Sequence, residues 1–320
     1  MTDTGKARLN LVADIGGTNT RMALARGRQV LPDSIRSFQN REYAALGQII
    51  GRFLSETGAK VTGACFAAAG IVEDGRVDMT NLDWAIDHAS LREQIGCATV
   101  EIINDLQAQG HALGHLAQTS VDVLVPAQDA PADTRLVVGI GTGFNAAVVF
   151  ETAAGRLVPP SETGHTDLLV RTEAEFAFMT YLLGEKARAE TEDALSGQGL
   201  ENIYHWVSGQ HAAASDIMDA VASGRDPKAL QAFDHFTGLL ARTLGALSLV
   251  HLPVGGVFLA GGVARAIAPH LNRFEFRNRY RDGGRFAPLM ERFAVHVITD
   301  DNAALTGCAA MLESRDFTAS

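Results

Sequence analysis

Leu9-Asn10-Leu11-Val12-Ala13-Asp14-Ile15-Gly16-Gly17-Thr18-Asn19-Thr20-Arg21-Met22-Ala23-Leu24-Ala25 is the stretch whose reading decides the fold. Leu9 to Ala13 is one apolar run and Arg21 to Ala25 leads a second, with two glycines in the turn between them. Two such runs joined by a glycine turn predict a β-hairpin. The pattern restarts at Arg135: Leu136 to Ile140 predicts a strand, Gly141-Thr142-Gly143 a turn, and Asn145 to Phe150 the returning strand. Val12-Ala13-Asp14-Ile15-Gly16 lines up with Val137-Val138-Gly139-Ile140-Gly141. A hairpin-first unit used twice predicts two related halves.

Outward from the first hairpin, Leu46, Ile49, Ile50, Phe53 and Leu54 repeat at helical spacing within Tyr43 to Glu56. Gly63 to Ala69 and Thr99 to Ile103 read as strands, and a helix begins near Leu106. Beyond the second hairpin, helices are expected at Ala174 to Leu183, Asp216 to Ala222 and Leu230 to His251. A strand at Gly256 to Ala260, the turn Gly261-Gly262, a helix from Val263, a strand at Ala294 to Ile298 and a closing helix from Asn302 to Glu313 follow. Strands alternating with helices place the chain in the α/β class. The expected division is a small domain over 1–115, to which 303–320 returns, and a large domain over 116–302.

Bulk properties exclude several classes. Hydrophobic residues make up 47% and charged residues 20%, which supports a packed core and argues against disorder. The formal charge is −10 and no Lys/Arg-rich block stands out, so no nucleic-acid surface is expected. Cys65, Cys97 and Cys308 are far apart and odd in number, with no C-x-x-C pair to frame a disulfide or zinc site. Met1 to Asn10 lacks the apolar stretch of a signal peptide, so the expected location is the cytoplasm. Leu244 to Ala268 is nearly uncharged, yet Pro253, Gly255, Gly256, Gly261 and Gly262 break it; no membrane segment is expected.

Five stretches carry chemistry-bearing residues. No G-x-x-x-x-G-K-[ST] exists, which excludes a P-loop. Gly16 and Gly17 let backbone approach an anion and present N–H groups to it, with Thr18 and Asn19 as donors and Asp14 able to hold Mg²⁺ or its water. The same residues also suit an ordinary β-turn. Asn104-Asp105 lies where a strand ends and a helix begins: Asp105 there accepts a hydroxyl proton, or one of the two caps the helix. Glu162 and His165 flank Gly164 as partners for vicinal hydroxyls, or form a solvated loop. Glu192 precedes Leu195-Ser196-Gly197-Gln198-Gly199-Leu200 as a functional carboxylate or an exposed charge. Gly261-Gly262 forms a strand-to-helix turn, fit for a base or phosphate or for tight packing alone.

Taken in order, these stretches resemble the bacterial glucokinase family. The resemblance rests on Asp-Ile-Gly-Gly-Thr-Asn at 14–19, Met-Thr-Asn at 79–81 with Trp84 following, and Glu-Ile-Ile-Asn-Asp at 101–105. It continues through Gly-Thr-Gly at 141–143, Glu-Thr-Gly-His at 162–165, Leu-Ser-Gly-x-Gly-Leu at 195–200 and Ala-Gly-Gly at 260–262. It implies a two-domain ribonuclease H-like, actin-like ATPase fold with an active-site cleft between the domains. It further implies transfer of the γ-phosphoryl group of Mg·ATP to the 6-hydroxyl of glucose. Asp105 would be the general base, and Asn81, Asn104, Asp105, Glu162, His165 and Glu192 would bind the sugar. Ala13, Asp14, Ile15, Gly16, Gly17 and Thr18 would bind ATP with Gly141, Thr142, Gly143, Gly261 and Gly262, and Asp14 would serve Mg²⁺. A homodimer is the family-level expectation, and Trp84, in the sugar-proximal segment, is expected partly wet. Pro160-Ser161 and Gln198 depart from the family pattern without removing a functional side chain.

Three rivals are weaker. A kinase for another hexose shares the fold, but the C-x-C-G-x-x-G-C of the zinc-containing branch does not follow His165. A sugar-responsive repressor needs a helix-turn-helix ahead of the first hairpin, where only a short polar lead stands. An ATPase without an acceptor has no use for Asp105 together with Glu162, His165 and Glu192.

Overall fold

The computed structural model describes residues 8–79, 82, 84–127, 134–153 and 155–318. Asn81 lies outside them. The chain divides into two compact units: 1–117 with 154–160 and 300–320, and 118–153 with 161–299.

The first unit is built on a sheet in the order Gln29–Val30, Asn19–Arg26, Leu9–Ile15, Gly63–Ala68, Thr99–Asn104. Leu9–Ile15 and Asn19–Arg26 form the antiparallel hairpin, from Leu9 opposite Arg26 to Ile15 opposite Thr20. Leu9–Ile15 then runs parallel to Gly63–Ala68, which runs parallel to Thr99–Asn104. Side chains on a strand alternate between faces, and the core divides accordingly. Leu11, Ala13, Ile15, Ala64, Phe66 and Ala68 join one apolar cluster with Ile49, Ile50, Phe53 and Leu91 of the helices Leu46–Thr57 and His88–Ile95. Val12, Cys65 and Ala67 join another with Ala108, Ala304, Leu305, Cys308 and Leu312 of the helices Asp105–Ala112 and Ala303–Thr318. All six residues of Gly63–Ala68 are buried, as a central strand covered on both faces requires.

The second unit repeats this topology. Its sheet runs Val121–Val125, Val295–Ile298, Val257–Ala260, Thr134–Ile140, Phe144–Thr152. Thr134–Ile140 and Phe144–Thr152 form the hairpin, closing with Ile140 opposite Phe144. Thr134–Ile140 is parallel to Val257–Ala260, which is parallel to Val295–Ile298. Ile15 and Ile140 are thus each the last paired residue before the glycine turn, as the alignment of the two stretches predicts.

The structure adds elements that the sequence reading lacks. Val72–Glu73, Arg76–Asp78 and Ala85–Asp87 make a small antiparallel sheet whose strands are too short to show alternation. The near-uncharged stretch resolves into the end of the helix Pro227–His251, the strand Val257–Ala260 and the helix Gly262–Leu271. Among the described residues no helix is long and apolar enough to cross a membrane. The three cysteines are buried and unbridged by disulfides. Trp84 corrects an expectation: only 7% exposed, it packs into the core of its own unit and is not a partly wet side chain.

Within the first unit, the helices Asp105–Ala112 and Ala303–Thr318 touch backbone to backbone. A Cβ on Gly307 would overlap the carbonyl oxygen of Ala108 and stand 2.6 Å from its carbonyl carbon. Two helices lie this close only with glycine at the crossing. Gly307→Ala should therefore force them apart and cost about 1–3 kcal/mol, the usual range for overpacking. A urea titration checks this, and an unchanged midpoint would show that the crossing relaxes freely.

Candidate active site

Parallel register brings the candidate residues of the first unit to one sheet edge. Ile15 pairs with Ala68 and Ala68 with Asn104, so the turn after Ile15 and the helix after Asn104 leave the same carboxyl edge. In α/β sheets that edge is where ligands gather. The turn is held from below by Asn40, which is 1% exposed. Its Nδ2 donates to the carbonyl oxygen of Gly16 at 2.7 Å and its Oδ1 accepts from Thr20 Oγ1 at 2.8 Å. Its backbone N–H donates to the Thr18 carbonyl at 2.9 Å, while Gly16 N–H closes the turn onto Asn19 at 3.0 Å. Asn40 stands outside the glycine motif and was missed; an Asn after a short strand gives no sequence signal.

Asp14 meets Arg21 across the hairpin, Oδ2 to Nη1 at 3.7 Å. Burial pushes the Asp14 carboxyl up, and Arg21 only partly opposes it. Arg21 Nη1 also donates to the Asp301 carbonyl at 3.2 Å.

The capping alternative is answered for Asn104. Its Oδ1 accepts from Leu106 N–H at 2.9 Å and Gln107 Oε1 accepts from Asn104 N–H at 3.0 Å, which completes a capping box. Its Nδ2 donates to the Gly70 carbonyl at 3.0 Å. Asp105 is the first residue of the helix, and its Oδ1 accepts from Leu106 N–H at 2.8 Å.

In the second unit the register again aligns two glycine turns: Gly139 pairs with Ala260, so Gly141 and Gly261 follow at one edge. Gly261 has φ +103°, and a Cβ there would overlap the Ile140 carbonyl oxygen, 3.0 Å from its carbon. The turn Gly141-Thr142-Gly143 closes through Gly141 N–H to the Gly143 carbonyl at 2.9 Å. The Gly141 carbonyl accepts from Gly197 N–H, also at 2.9 Å, at the start of the helix Gly197–Ser208. Ser196 caps that helix, with Oγ accepting from Gly199 N–H at 3.0 Å.

Glu162, His165 and Glu192 come together here. The short 3₁₀ turn Thr163–His165 lies on the strand Phe144–Thr152 because Gly164 has no side chain: a Cβ would overlap the Phe144 carbonyl oxygen and stand 3.5 Å from Glu192 Cβ. Thr163 N–H donates to Asn145 Oδ1 at 2.9 Å, and Phe144 N–H donates to Glu192 Oε2 at 2.8 Å. Glu192 is therefore bound to the glycine hairpin. A fourth member, Glu190, was absent from the sequence reading: its Oε2 lies 2.8 Å from His165 Nδ1. That hydrogen bond raises the His165 pKa, burial lowers it less, and the charges of Glu192, Glu190 and Glu162 raise it further.

Metal ligands are sparse. Among the described residues no group of three His, Cys, Asp or Glu is arranged to cage an ion. Asp14 offers a single carboxylate beside a glycine turn, a donor set that fits Mg²⁺ arriving on nucleotide phosphates.

The profile of the family described as glucokinase matches residues 11–315. A glucokinase from Sinorhizobium medicae (strain WSM419) is 31% identical over 315 residues, covering 96% of this chain and 93% of its own length. Among solved structures, a glucokinase from an Antarctic psychrotroph superposes with TM-score 0.86 at 28% identity, over 95% of this chain and 98% of its own. A glucokinase from Balamuthia mandrillaris, solved in complex with glucose, reaches TM-score 0.78 at 24% identity over 98% and 95%. The ribonuclease H-like α/β fold expected from the sequence is the fold these proteins share with the chain.

Asn40→Ala should leave the buried Thr20 hydroxyl unpaired, at a cost of about 1–3 kcal/mol, and the part-buried Gly16 carbonyl without its amide partner. Chemical denaturation reads the loss, and amide exchange should rise at Gly16 to Thr18. Unchanged exchange there would show that the turn holds its shape without Asn40.

Proposed function

Because the chain belongs to the glucokinase family, we propose that it transfers the γ-phosphoryl group of Mg·ATP to the 6-hydroxyl of glucose, with Asp105 as general base. The observation that carries this reading is the cluster of Glu162, His165, Glu190 and Glu192 laid against a glycine hairpin. Glucose is neutral and rich in hydroxyls, so its recognition calls for carboxylates and imidazole as directional partners. A water-consuming ATPase has no need of them.

The roles divide by chemistry. Glu162, His165 and Glu192 take sugar hydroxyls, together with Asn104 and Asn81. The turns Gly16-Gly17-Thr18 and Gly141-Thr142-Gly143, each closed by the N–H of its first glycine, take phosphate oxygens, extended at the nucleotide by Gly261 and Gly262. Ala13, Asp14 and Ile15 belong to the first of these loops. Asp14 would be the carboxylate that holds Mg²⁺ or its water, and the ion would supply neutralisation of phosphate charge. Asp105 receives the 6-hydroxyl proton as the oxygen bonds to the γ-phosphorus and ADP departs. Fixing Asp105 at the head of a capped helix holds that carboxylate still, and positioning is the main source of rate in phosphoryl transfer. A homodimer, as a family-level expectation, and a cytoplasmic location complete the proposal.

A coupled assay with glucose and Mg·ATP should yield glucose 6-phosphate and ADP. Turnover of fructose or N-acetylglucosamine with none of glucose would overturn the sugar assignment while leaving the family. Asp105→Asn should lower kcat by roughly 10²–10⁴-fold, the usual contribution of a general base, with glucose affinity nearly kept. An Asp105→Asn variant that is fully active and merely less stable would reduce the residue to a helix-start ligand for Leu106.

A further inference from the structure

His165 does not stand alone in its turn. The segments 166–168 and 189–191 pair as a short antiparallel bridge: Asp167 opposite Glu190, Thr191 N–H on the Thr166 carbonyl at 2.9 Å, and Leu168 N–H on the Ala189 carbonyl at 2.9 Å. Glu190 N–H is also held by Asp193 Oδ2 at 2.9 Å. Glu190 is thus fixed through its backbone on both sides, and its carboxylate reaches the near nitrogen of the imidazole, Nδ1, at 2.8 Å. The ring itself is half exposed, so nothing in the packing sets which nitrogen carries the proton. Only the partner of Nδ1 does that. An ionised carboxylate is an acceptor and requires Nδ1 to be the N–H.

We propose that Glu190 is a positioning residue that holds His165 as the Nδ1–H tautomer, leaving Nε2 to meet a sugar hydroxyl as an acceptor. This rests on the reading of the cluster as a sugar site. It makes the cluster a set of acceptors alone, since Glu162 and Glu192 are carboxylates, so the sugar must supply the hydrogens. Protonation of His165 turns Nε2 into a donor and undoes the arrangement. The charged groups around the ring are Glu162, Glu190 and Glu192, which favour the imidazolium, with Arg188 behind. Arg188 Nη2 donates to Asp167 Oδ1 at 2.9 Å and to the His165 carbonyl at 3.4 Å, and its Nη1 stands 3.9 Å from Glu190 Oε1. The folded pKa of His165 lies above its ordinary value, so the acceptor form is complete only above that raised pKa and is lost as pH falls through it.

The test is the ¹⁵N spectrum of the imidazoles in the full-length protein, with His165 assigned by loss of its signal in His165→Gln. In the unliganded protein above the His165 pKa, Nδ1 should be protonated and Nε2 bare. Glu190→Gln keeps an acceptor oxygen and should preserve the tautomer while lowering the pKa. Glu190→Ala should lose both. In kinetics, Glu190→Ala should raise KM for glucose roughly 3–10-fold, the worth of one hydrogen bond, with KM for ATP and kcat within about twofold. Both variants should move the acid limb of kcat/KM to lower pH, and Glu190→Gln should recover most of the glucose KM. A wild-type Nε2–H tautomer, or one unchanged in Glu190→Ala, would overturn the positioning role. So would equal losses toward glucose and ATP. The spectrum needs no substrate, so a protein that shows the expected tautomer yet does not phosphorylate glucose would overturn the functional reading and the sugar contact, not the Glu190–His165 pairing.

Discussion

The contact between Gly164 and the carbonyl of Phe144 governs the chemistry of the second unit. No side chain fits between them, because a Cβ on residue 164 would occupy the space of the carbonyl oxygen. Backbone cannot swing aside as a long side chain can, so the turn Thr163–His165 either lies directly on the strand or leaves it. From that closeness the rest follows. Glu192 comes near enough to receive Phe144 N–H, and a Cβ on Gly143 would overlap its carboxylate oxygen, so a side chain there would push the Glu192 carboxylate aside. Glycine turn, imidazole and the carboxylates of Glu190 and Glu192 are thereby held by hydrogen bonds in one neighbourhood, which suits binding by directional hydrogen bonds.

The first unit solves the same problem with different residues. Its glycine turn is braced not by a carboxylate but by the buried amide of Asn40, which has both a donor and an acceptor to give. A neutral clamp adds no charge of its own to the turn, which suits an anion-binding role. Asp105 owes its position to two constraints at once: the capping box of Asn104 and Gln107 fixes where its helix begins, and Gly307 fixes how closely that helix is backed.

Burial pushes up the carboxyls of both Glu175 and Asp14, but the outcome differs with the partners each acid has. At Glu175, only 5% exposed, burial pushes the carboxyl up, but Arg242 at 2.6 Å and the N–H groups of Arg171 and Thr172 outweigh it and hold the group below its ordinary value. Three helices, Glu173–Glu185, Pro227–His251 and Phe276–Arg281, meet around this region, where Asp234 likewise binds Arg279 at 2.6 Å. At Asp14 the single, more distant Arg21 does not outweigh burial. A satisfied acid locks helices together; an under-satisfied one keeps an interest in a cation from outside.

Periodicity and glycine placement determined much of this protein from sequence alone. The apolar runs Leu9 to Ala13 and Gly63 to Ala69 and the recurring glycine turn at 141–143 settle the strands and their repetition, because a short apolar run bounded by turn residues is a local mark of a buried strand. Leu46 to Phe53 does the same for a helix. The chemical groups were legible as motifs, but each carried a local alternative, and at Asn104 the helix cap is what the structure holds. Tertiary structure alone decided what closes on what. Asn40 lies twenty-four residues from Gly16, and Glu190 twenty-five from His165. Neither is marked by periodicity or by a neighbouring motif, for hydrogen bonds between distant segments depend on register and strand order. Trp84 shows the same limit in reverse: its place in a loop suggested water, whereas its burial depends on a small sheet too short to leave a pattern. Local sequence fixes which face of an element is apolar; only the packing of elements fixes which polar atom finds which partner.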